Sequence, residues 1–363
     1  MIFSKPSPRK LSTLYLQGLP KFGKWLVMDP IITTICSDTK KATPGAIFFA
    51  LPGTKVHGAE FVSDALEFGA VLIITDLIGL KIIEKNKIDC PILVSKMPYA
   101  VLSKVLVTFF PKLPKSIVSV TGTNGKTSVS HFVRQIWELL GKNAVSVGTT
   151  GVDGAVNFSL THTTPDAIFL HQLLFHLAEK NVDHVALESS SHGLQQGRLD
   201  GLKICAAGFT NLSRDHLDYH ENFGQYFKAK ALLFNSIVKK NGSAVISINT
   251  PYGLKMRQVA LDAGLKILTV GKSKEADIQI LRQKFNEKTQ TLNFSYGSIQ
   301  KSVDLNLIGN FQAENILIAA GLLIMCGESP NAIFNVIEDL ETVPGRMEFI
   351  TQTAKGGNIF IDY

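Results

Sequence analysis

Ser116-Ile117-Val118-Ser119-Val120, followed by Thr121-Gly122-Thr123-Asn124-Gly125-Lys126-Thr127-Ser128, is the stretch on which the reading of this chain turns. A β-rich run leads into a glycine-bearing turn. The turn leads into Val129, Phe132, Val133, Ile136, Leu139 and Leu140 at helical spacing, with Gly141 as the stop. Strand, glycines, lysine and threonine in that order predict a phosphate-binding loop. Gly122, Thr123, Asn124 and Gly125 let backbone N–H groups converge on phosphate oxygens, and the helix start at Lys126, Thr127 and Ser128 adds the positive end of its dipole. Lys126 can neutralise β- and γ-phosphate charge, and the Thr127 hydroxyl can ligate Mg²⁺. Val120 stands where the common form of the motif has its first glycine, so the spacing is a variant.

Downstream, β-rich runs alternate with helical patterns. Val145–Gly148, Val182–Leu187, Ala206–Asn211, Ala244–Ile248 and Ile267–Val270 read as strands, which predicts a mostly parallel sheet with helices on both faces. After Asp277 the pattern becomes an antiparallel meander over Ile278–Leu281, Leu292–Tyr296 and Val303–Leu307, then helices over Asn315–Met325 and Ala332–Leu340. Upstream, Ala46–Leu51, Ala70–Thr75 and Pro91–Ser95 read as buried strands, with a helical stripe of Phe61, Ala65, Leu66 and Phe68 between the first two. Phe110-Pro111-Lys112-Leu113-Pro114-Lys115 reads as an exposed linker. The expected fold class is therefore α/β: a small N-terminal α/β domain over 1–110, and a P-loop-type central domain over 111–345 with a mostly parallel sheet plus a short antiparallel meander. The last segment, 346–363, ends within a predicted strand, Asn358–Tyr363.

With 363 residues, 45% of them hydrophobic and 18% charged, the chain is a folded protein of two or three domains. Its net charge of +7 is spread without a dense run, which argues against a nucleic-acid-binding arm. The four cysteines, Cys36, Cys90, Cys205 and Cys326, form no C-x-x-C pair and read as buried reduced thiols. Residues 1–16 lack the apolar core of a signal peptide, and the longest apolar run, Ile316–Cys326, is too short to span a bilayer. A cytoplasmic location with no membrane partner is expected.

Glu188 follows the apolar run Val185-Ala186-Leu187, and ligands of open parallel sheets sit at the carboxyl ends of strands. A carboxylate there can hold Mg²⁺ or orient water; a solvated residue or a cap is the plainer reading. Asn211-Leu212-Ser213-Arg214-Asp215-His216-Leu217-Asp218-Tyr219-His220 closes the next strand, and its His and Asp residues can ligate a metal or shuttle protons. Ser213 or Asp215 can equally cap a helix.

Taken together, Thr121–Thr127, Thr163-Thr164-Pro165-Asp166, Glu188-Ser189-Ser190-Ser191-His192-Gly193-Leu194 and Asn211–His220 closely resemble the Mur ligases, most of all the UDP-MurNAc-tripeptide synthetases. Ser37-Asp38-Thr39 and Pro44-Gly45-Ala46-Ile47-Phe48-Phe49-Ala50-Leu51-Pro52-Gly53 resemble the family's uridine-binding opening, so the resemblance covers nearly the whole chain. It implies an ATP-dependent ligase that adds a third amino acid, diaminopimelate or lysine, to UDP-MurNAc-L-Ala-D-Glu in peptidoglycan precursor synthesis, acting as a monomer. Residue by residue, Lys126 and Thr127 would hold ATP phosphates and Mg²⁺, and Glu188 and His216 would be further Mg²⁺ ligands. Ser37, Thr163, Thr164, Ser190, Gln196 and Arg198 would bind the UDP-MurNAc-peptide. Lys230 matches the lysine that relatives carry as a carbamate, which can bridge a magnesium ion; read without the family it is a surface lysine on a helix. Such a lysine must first lose its proton, so its pKa must fall well below about 10.4. Asn315, in Gly309-Asn310-Phe311-Gln312-Ala313-Glu314-Asn315, would contact adenine, and Arg346, in Pro344-Gly345-Arg346-Met347-Glu348, would reach ATP.

The sequence departs from the family at Thr39 and Lys40, where serine and arginine are usual. It also stops at Ile361-Asp362-Tyr363, where relatives continue into a Rossmann-like C-terminal domain with the amino-acid pocket, so that domain is expected to be missing and the chain incomplete for the reaction. Another superfamily ligase, adding D-Ala-D-Ala or glutamate to folate, is the first rival. Ser37-Asp38 argues against the folate enzyme and Asp215–His220 against the other. A P-loop module without ligase activity is the second.

Overall fold

The computed structural model describes residues 3–25, 29–53, 55–215, 220, 222–239, 241–286, 289–353 and 357–362. In chain order the N-terminal part holds β1 (Arg9–Lys10), β2 (Lys21–Phe22), β3 (Ile31–Ile32), β4 (Thr34–Cys36), β5 (Ala46–Phe49), α1 (Val62–Glu67), β6 (Ala70–Thr75), α2 (Leu77–Lys85), β7 (Ile92–Val94) and α3 (Pro98–Phe109). Then come β8 (Ser116–Thr121), α4 (Lys126–Leu139), β9 (Ala144–Gly148), β10 (Gly151–Gly154), α5 (Ala167–Glu179), β11 (His184–Glu188), α6 (Ser191–Gln195), β12 (Ala206–Phe209) and α7 (Phe223–Leu232). The chain closes with β13 (Ser243–Ser247), α8 (Pro251–Asp262), β14 (Lys266–Gly271), β15 (Ile278–Phe285), β16 (Gln290–Tyr296), β17 (Ile299–Leu305), α9 (Phe311–Met325), α10 (Pro330–Val336), β18 (Glu348–Gln352) and β19 (Asn358–Ile361).

These elements form two compact units, one of Met1–Leu113 with Asp166–Glu179, the other of Pro114–Pro165 with Lys180–Tyr363. In the first, a sheet of order β2-β7-β6-β5-β4 is parallel except at β2. Its strands are apolar on both faces because both are covered. On one face Ile47, Phe49, Leu72, Ile74 and Leu93 meet α3 and Ile168 and Phe175 of α5. On the other, Phe48, Ile73 and Ile92 meet Val62, Ala65 and Ile83 of α1 and α2. The helical stripe read as Phe61, Ala65, Leu66 and Phe68 is corrected here. Ala59, Val62 and Ala65 face the core at three-residue steps, whereas Phe61 and Phe68 are exposed.

Helix α5 lies far along the sequence from the rest of this unit. The Phe110 and Phe175 rings meet tilted at 56° with centres 5.9 Å apart, and Lys112 pairs with Glu179 at 3.0 Å.

In the second unit, a ten-stranded sheet runs β10-β9-β11-β8-β12-β13-β14-β15-β16-β17. Neighbours from β9 to β15 are parallel; β10, β16 and β17 pair antiparallel. The meander expected after Asp277 is thus continuous with the parallel sheet, through β14 and β15. Helix α9 is apolar all round because it is buried all round, with Ile316, Leu317, Ile318, Leu322 and Leu323 fully enclosed. Truncating any of those leucines or isoleucines to alanine would cost about 2–5 kcal/mol. It packs beside α4, which buries Val129, Phe132, Val133, Ile136 and Trp137 against the sheet. Trp137 fills the place expected for Leu139, which is exposed. Beyond α4, Lys142 N–H closes onto Trp137 O at 2.9 Å and Gly141 N–H onto Glu138 O at 2.8 Å, ending the helix where the glycine predicted.

The sequence order reverses about β8, with β11 on one side and β12 on the other. The carboxyl ends of these three strands form the crevice where such sheets bind ligands.

Candidate nucleotide and metal site

The turn after β8 enters α4 through Gly125, whose φ of +86° is the left-handed conformation that glycine adopts without strain. A Cβ there would also lie 2.5 Å from Asn315 Oδ1, so the loop and the start of α9 touch by virtue of this residue. The loop is held from β12 as well. Asn124 N–H donates to Asn211 Oδ1 at 3.0 Å, and Thr210 Oγ1 donates to Asn124 O at 2.6 Å. A cavity of about 530 Å³ opens over this turn, and its wall includes Asn124, Lys126, Thr127, Phe311, Asn315 and Arg346. Three segments spread over some 220 residues of sequence therefore converge. Arg346 Nη2 donates to Thr127 Oγ1 at 3.2 Å, and Thr127 Oγ1 donates to Glu188 Oε2 at 3.0 Å.

Glu188 is the last residue of β11 and is 2% exposed. Both its oxygens are engaged. Oε1 accepts from Thr149 N–H at 2.9 Å, and Oε2 accepts from Thr149 Oγ1 at 3.1 Å and from Thr127. Gly148, just before, permits this approach, since a Cβ would sit 1.9 Å from Glu188 Oε1. Burial pushes the Glu188 carboxyl up, against the pull of Lys126 and its hydrogen-bond donors. Lys126 is pushed down by the same loss of solvent, although Glu188 and Asp215 favour its charge. Its ammonium donates to Gly122 O at 3.0 Å and Thr123 O at 2.7 Å, folded back on its own loop.

Lys230 overturns its reading as a surface residue. It is 1% exposed, its Nζ donates to Gly122 O at 2.7 Å and lies 4.4 Å from the Tyr226 ring centre. Burial, reinforced by the Lys126 charge, holds its amine well below the usual lysine range. Asn222, not Ser213 or Asp215, caps α7, its side chain accepting from Gln225 N–H. Ser213 N–H instead donates to Thr123 Oγ1 at 3.0 Å, tying the segment to the phosphate loop. His216 lies outside the described residues. Among the described residues no group of three His, Cys, Asp or Glu side chains converges.

The residues expected to bind the peptide gather around Thr164, except Ser37. Thr164 Oγ1 donates to Glu188 O at 2.9 Å and accepts from Ser190 N–H at 3.0 Å, so its hydroxyl braces the backbone. Arg198 donates to Thr164 O at 2.5 Å and to Gln196 Oε1. Ser190 Oγ accepts from Gly193 N–H at 3.1 Å and caps α6. Thr163 Oγ1 lies 3.1 Å from Thr149 Oγ1. Thr149 thus touches both the Glu188 carboxylate and the Thr163 segment, and sequence reading missed it; its only signal was the glycine before it at a strand end. Ser37 belongs to the first unit, exposed after β4, where the neighbouring Asp38 carboxylate accepts from Lys40 N–H at 3.0 Å. Cys36 and Cys90 are buried and Cys205 and Cys326 half-buried, all without disulfides. Among the described residues no helix is long and apolar enough to cross a membrane.

The oxygen donors fit a magnesium nucleotide. Thr127 and Glu188 offer hard oxygens, and a carboxyl pushed up by burial would regain its charge beside a divalent cation.

Residues 120–323 match the Mur ligase middle domain, and residues 31–106 match the Mur ligase family catalytic domain. The chain is 40% identical over 342 residues to the UDP-N-acetylmuramoyl-L-alanyl-D-glutamate–2,6-diaminopimelate ligase of Mesorhizobium japonicum, which covers 92% of this chain and 68% of that protein. It is 40% identical over 331 residues to the like-named ligase of Agrobacterium fabrum, covering 91% of this chain and 66% of that protein. The chain therefore spans about two thirds of the length of these curated relatives. A solved structure of a ligase of that name superposes with a TM-score of 0.81 at 29% identity, over 95% of this chain and 70% of the other. A MurF structure from Acinetobacter baumannii superposes with a TM-score of 0.67 at 17% identity, over 97% and 72%, a likeness of fold.

Proposed function

This chain belongs to the Mur ligase family, and on that premise we propose that it serves the ATP-dependent addition of diaminopimelate to UDP-MurNAc-L-Ala-D-Glu in peptidoglycan precursor synthesis. The observation that carries the reading is the cavity shared by the phosphate loop, Asn315 and Arg346, with the Glu188 carboxylate held behind Thr127.

A carboxylate is a poor acyl donor, because its charge repels nucleophiles and oxide leaves badly. Phosphoryl transfer to the glutamate carboxylate makes an acyl phosphate, which an amine then displaces with loss of phosphate. The demand on the protein is to bring two anions together. Lys126, the α4 dipole and Arg346 supply fixed positive charge on the nucleotide side. Thr127 and Glu188, with His216 and Lys230 as a carbamate, would hold Mg²⁺, which when bound screens the phosphate oxygens from the incoming carboxylate. Lys230 is suited to carbamylation because burial and the Lys126 charge favour its neutral amine: the amine nitrogen bonds to the carbon of CO₂ and one proton is released. Asn315 orients the base. Thr163, Ser190, Gln196 and Arg198 bind the peptide end of the substrate, and Ser37 the uridine end. That remote binding energy positions the reacting carboxylate. With these partners the protein works in the cytoplasm as a monomer, without nucleic acid or membrane.

Calorimetric titration of the chain with UDP-MurNAc-L-Ala-D-Glu and with Mg²⁺–ATP tests the proposal. Saturable heat from both ligands is expected. Nucleotide binding with no response to the UDP-linked dipeptide would overturn it.

A further inference from the structure

We propose that Gln135 is a positioning residue for nucleotide binding, acting through Arg346 by clamping the strap that carries it. The inference rests on the reading that the cavity takes a magnesium nucleotide. Gln135 lies on α4 some two and a half turns beyond Lys126, outside the cavity wall. Its carboxamide engages both main-chain groups of one residue. Gln135 Oε1 accepts from Glu341 N–H at 2.9 Å, and Gln135 Nε2 donates to Glu341 O at 3.2 Å. These two groups lie in successive peptide planes on either side of the Glu341 Cα, so a two-point bond of this kind fixes the backbone conformation at that residue, which a single bond does not.

From Glu341 the chain doubles back along the same helix. Val343 is fully buried, and Arg346 N–H donates to Val343 O at 3.0 Å. Gly345, with φ +67°, turns the backbone, and Arg346 Nη2 then meets Thr127 Oγ1 at 3.2 Å. The strap is therefore attached to α4 near Gln135 and again at Thr127. Helix α4 is rigid because one whole face of it is core. Fixing the strap before the ligand arrives removes an ordering cost from binding, and that cost is what Gln135 governs. The carboxamide's own bonds are to backbone, so its influence on the ligand has to pass through the residue at the far end of the strap.

A double-mutant cycle tests this. Gln135→Leu, Gln135→Glu, Arg346→Ala and Gln135→Leu/Arg346→Ala are titrated with Mg²⁺ and a non-hydrolysable ATP analogue, and their thermal unfolding is recorded. Arg346→Ala is expected to weaken binding about tenfold and Gln135→Leu about fivefold. The double variant should bind no more weakly than Arg346→Ala alone, while the loss of melting temperature from Gln135→Leu is the same in either background. Gln135→Glu keeps the acceptor for Glu341 N–H and loses the donor, so it should fall between wild type and Gln135→Leu; it carries the cycle if the leucine variant does not fold. Multiplying affinity losses in the double variant, or wild-type affinity in either single variant, would overturn the inference alone. A wild-type chain that binds no nucleotide would overturn the proposed function and this inference with it.

Discussion

At the end of β4 in the first unit stand Ser37 and Asp38, both exposed, the carboxylate bonded to a neighbouring backbone N–H. At the ends of β8 and β11 in the second unit stand Lys126 and Glu188, with Lys230 behind them, and Glu188 and Lys230 are almost wholly buried. Both edges belong to mostly parallel α/β sheets, but they treat charge in opposite ways. The first keeps its polar groups in water, where they can recognise a ligand. The second holds cations and a carboxylate where solvent is scarce, and all three are pushed toward their neutral forms. Isolated buried charge is destabilising; here the Glu188 carboxylate is offset by Thr127, Thr149 and Lys126, and the Lys230 amine by Gly122 O. The contrast separates an edge suited to binding from one suited to chemistry.

The sharpest test of that contrast is Lys126→Ala. It should weaken Mg²⁺–ATP binding about a thousandfold by calorimetry and leave the affinity for the UDP-linked dipeptide within about threefold. Near-normal nucleotide affinity would remove the loop from the site.

A second experiment looks for the point at which the two units cease to differ. His171 in the first unit and His131 in the second are both buried, and burial pushes both imidazoles down to about 4 from 6.5. Between those values the unfolded chain binds the proton and the folded chain does not, so stability falls as pH drops from 6.5 toward 4. The loss is about 3 kcal/mol per ring on the order of magnitude of the shift. Scanning calorimetry of His171→Leu across that window should show a shallower acid slope than wild type; an unchanged slope would mean that this ring does not titrate as its burial dictates.

The smallest expected effect falls on the first edge. Ser37→Ala should weaken the UDP-linked dipeptide about fivefold without changing Mg²⁺–ATP affinity. An equal loss for both ligands would erase the distinction between the edges.

The phosphate loop was readable because it is local: strand, turn and helix start are contiguous, and their chemistry depends on residues a few positions apart. Glu188 was readable as a strand end for the same reason. Lys230 was not, because its helix has a weak apolar face and nothing in Tyr226–Phe234 tells which side meets the loop. Thr149 escaped because a threonine after a glycine is common, and its meaning comes from Glu188, which approaches across the sheet.

Alternation of β-rich and helical runs was enough to dictate the α/β class and a phosphate-binding turn, since backbone preference and side-chain period act over short stretches of chain. Folding in three dimensions alone set which helix joined which unit, that the meander continued the large sheet, and which ionisable groups lost their water. Those outcomes depend on surfaces that are distant in sequence and are brought together only when the apolar faces are buried.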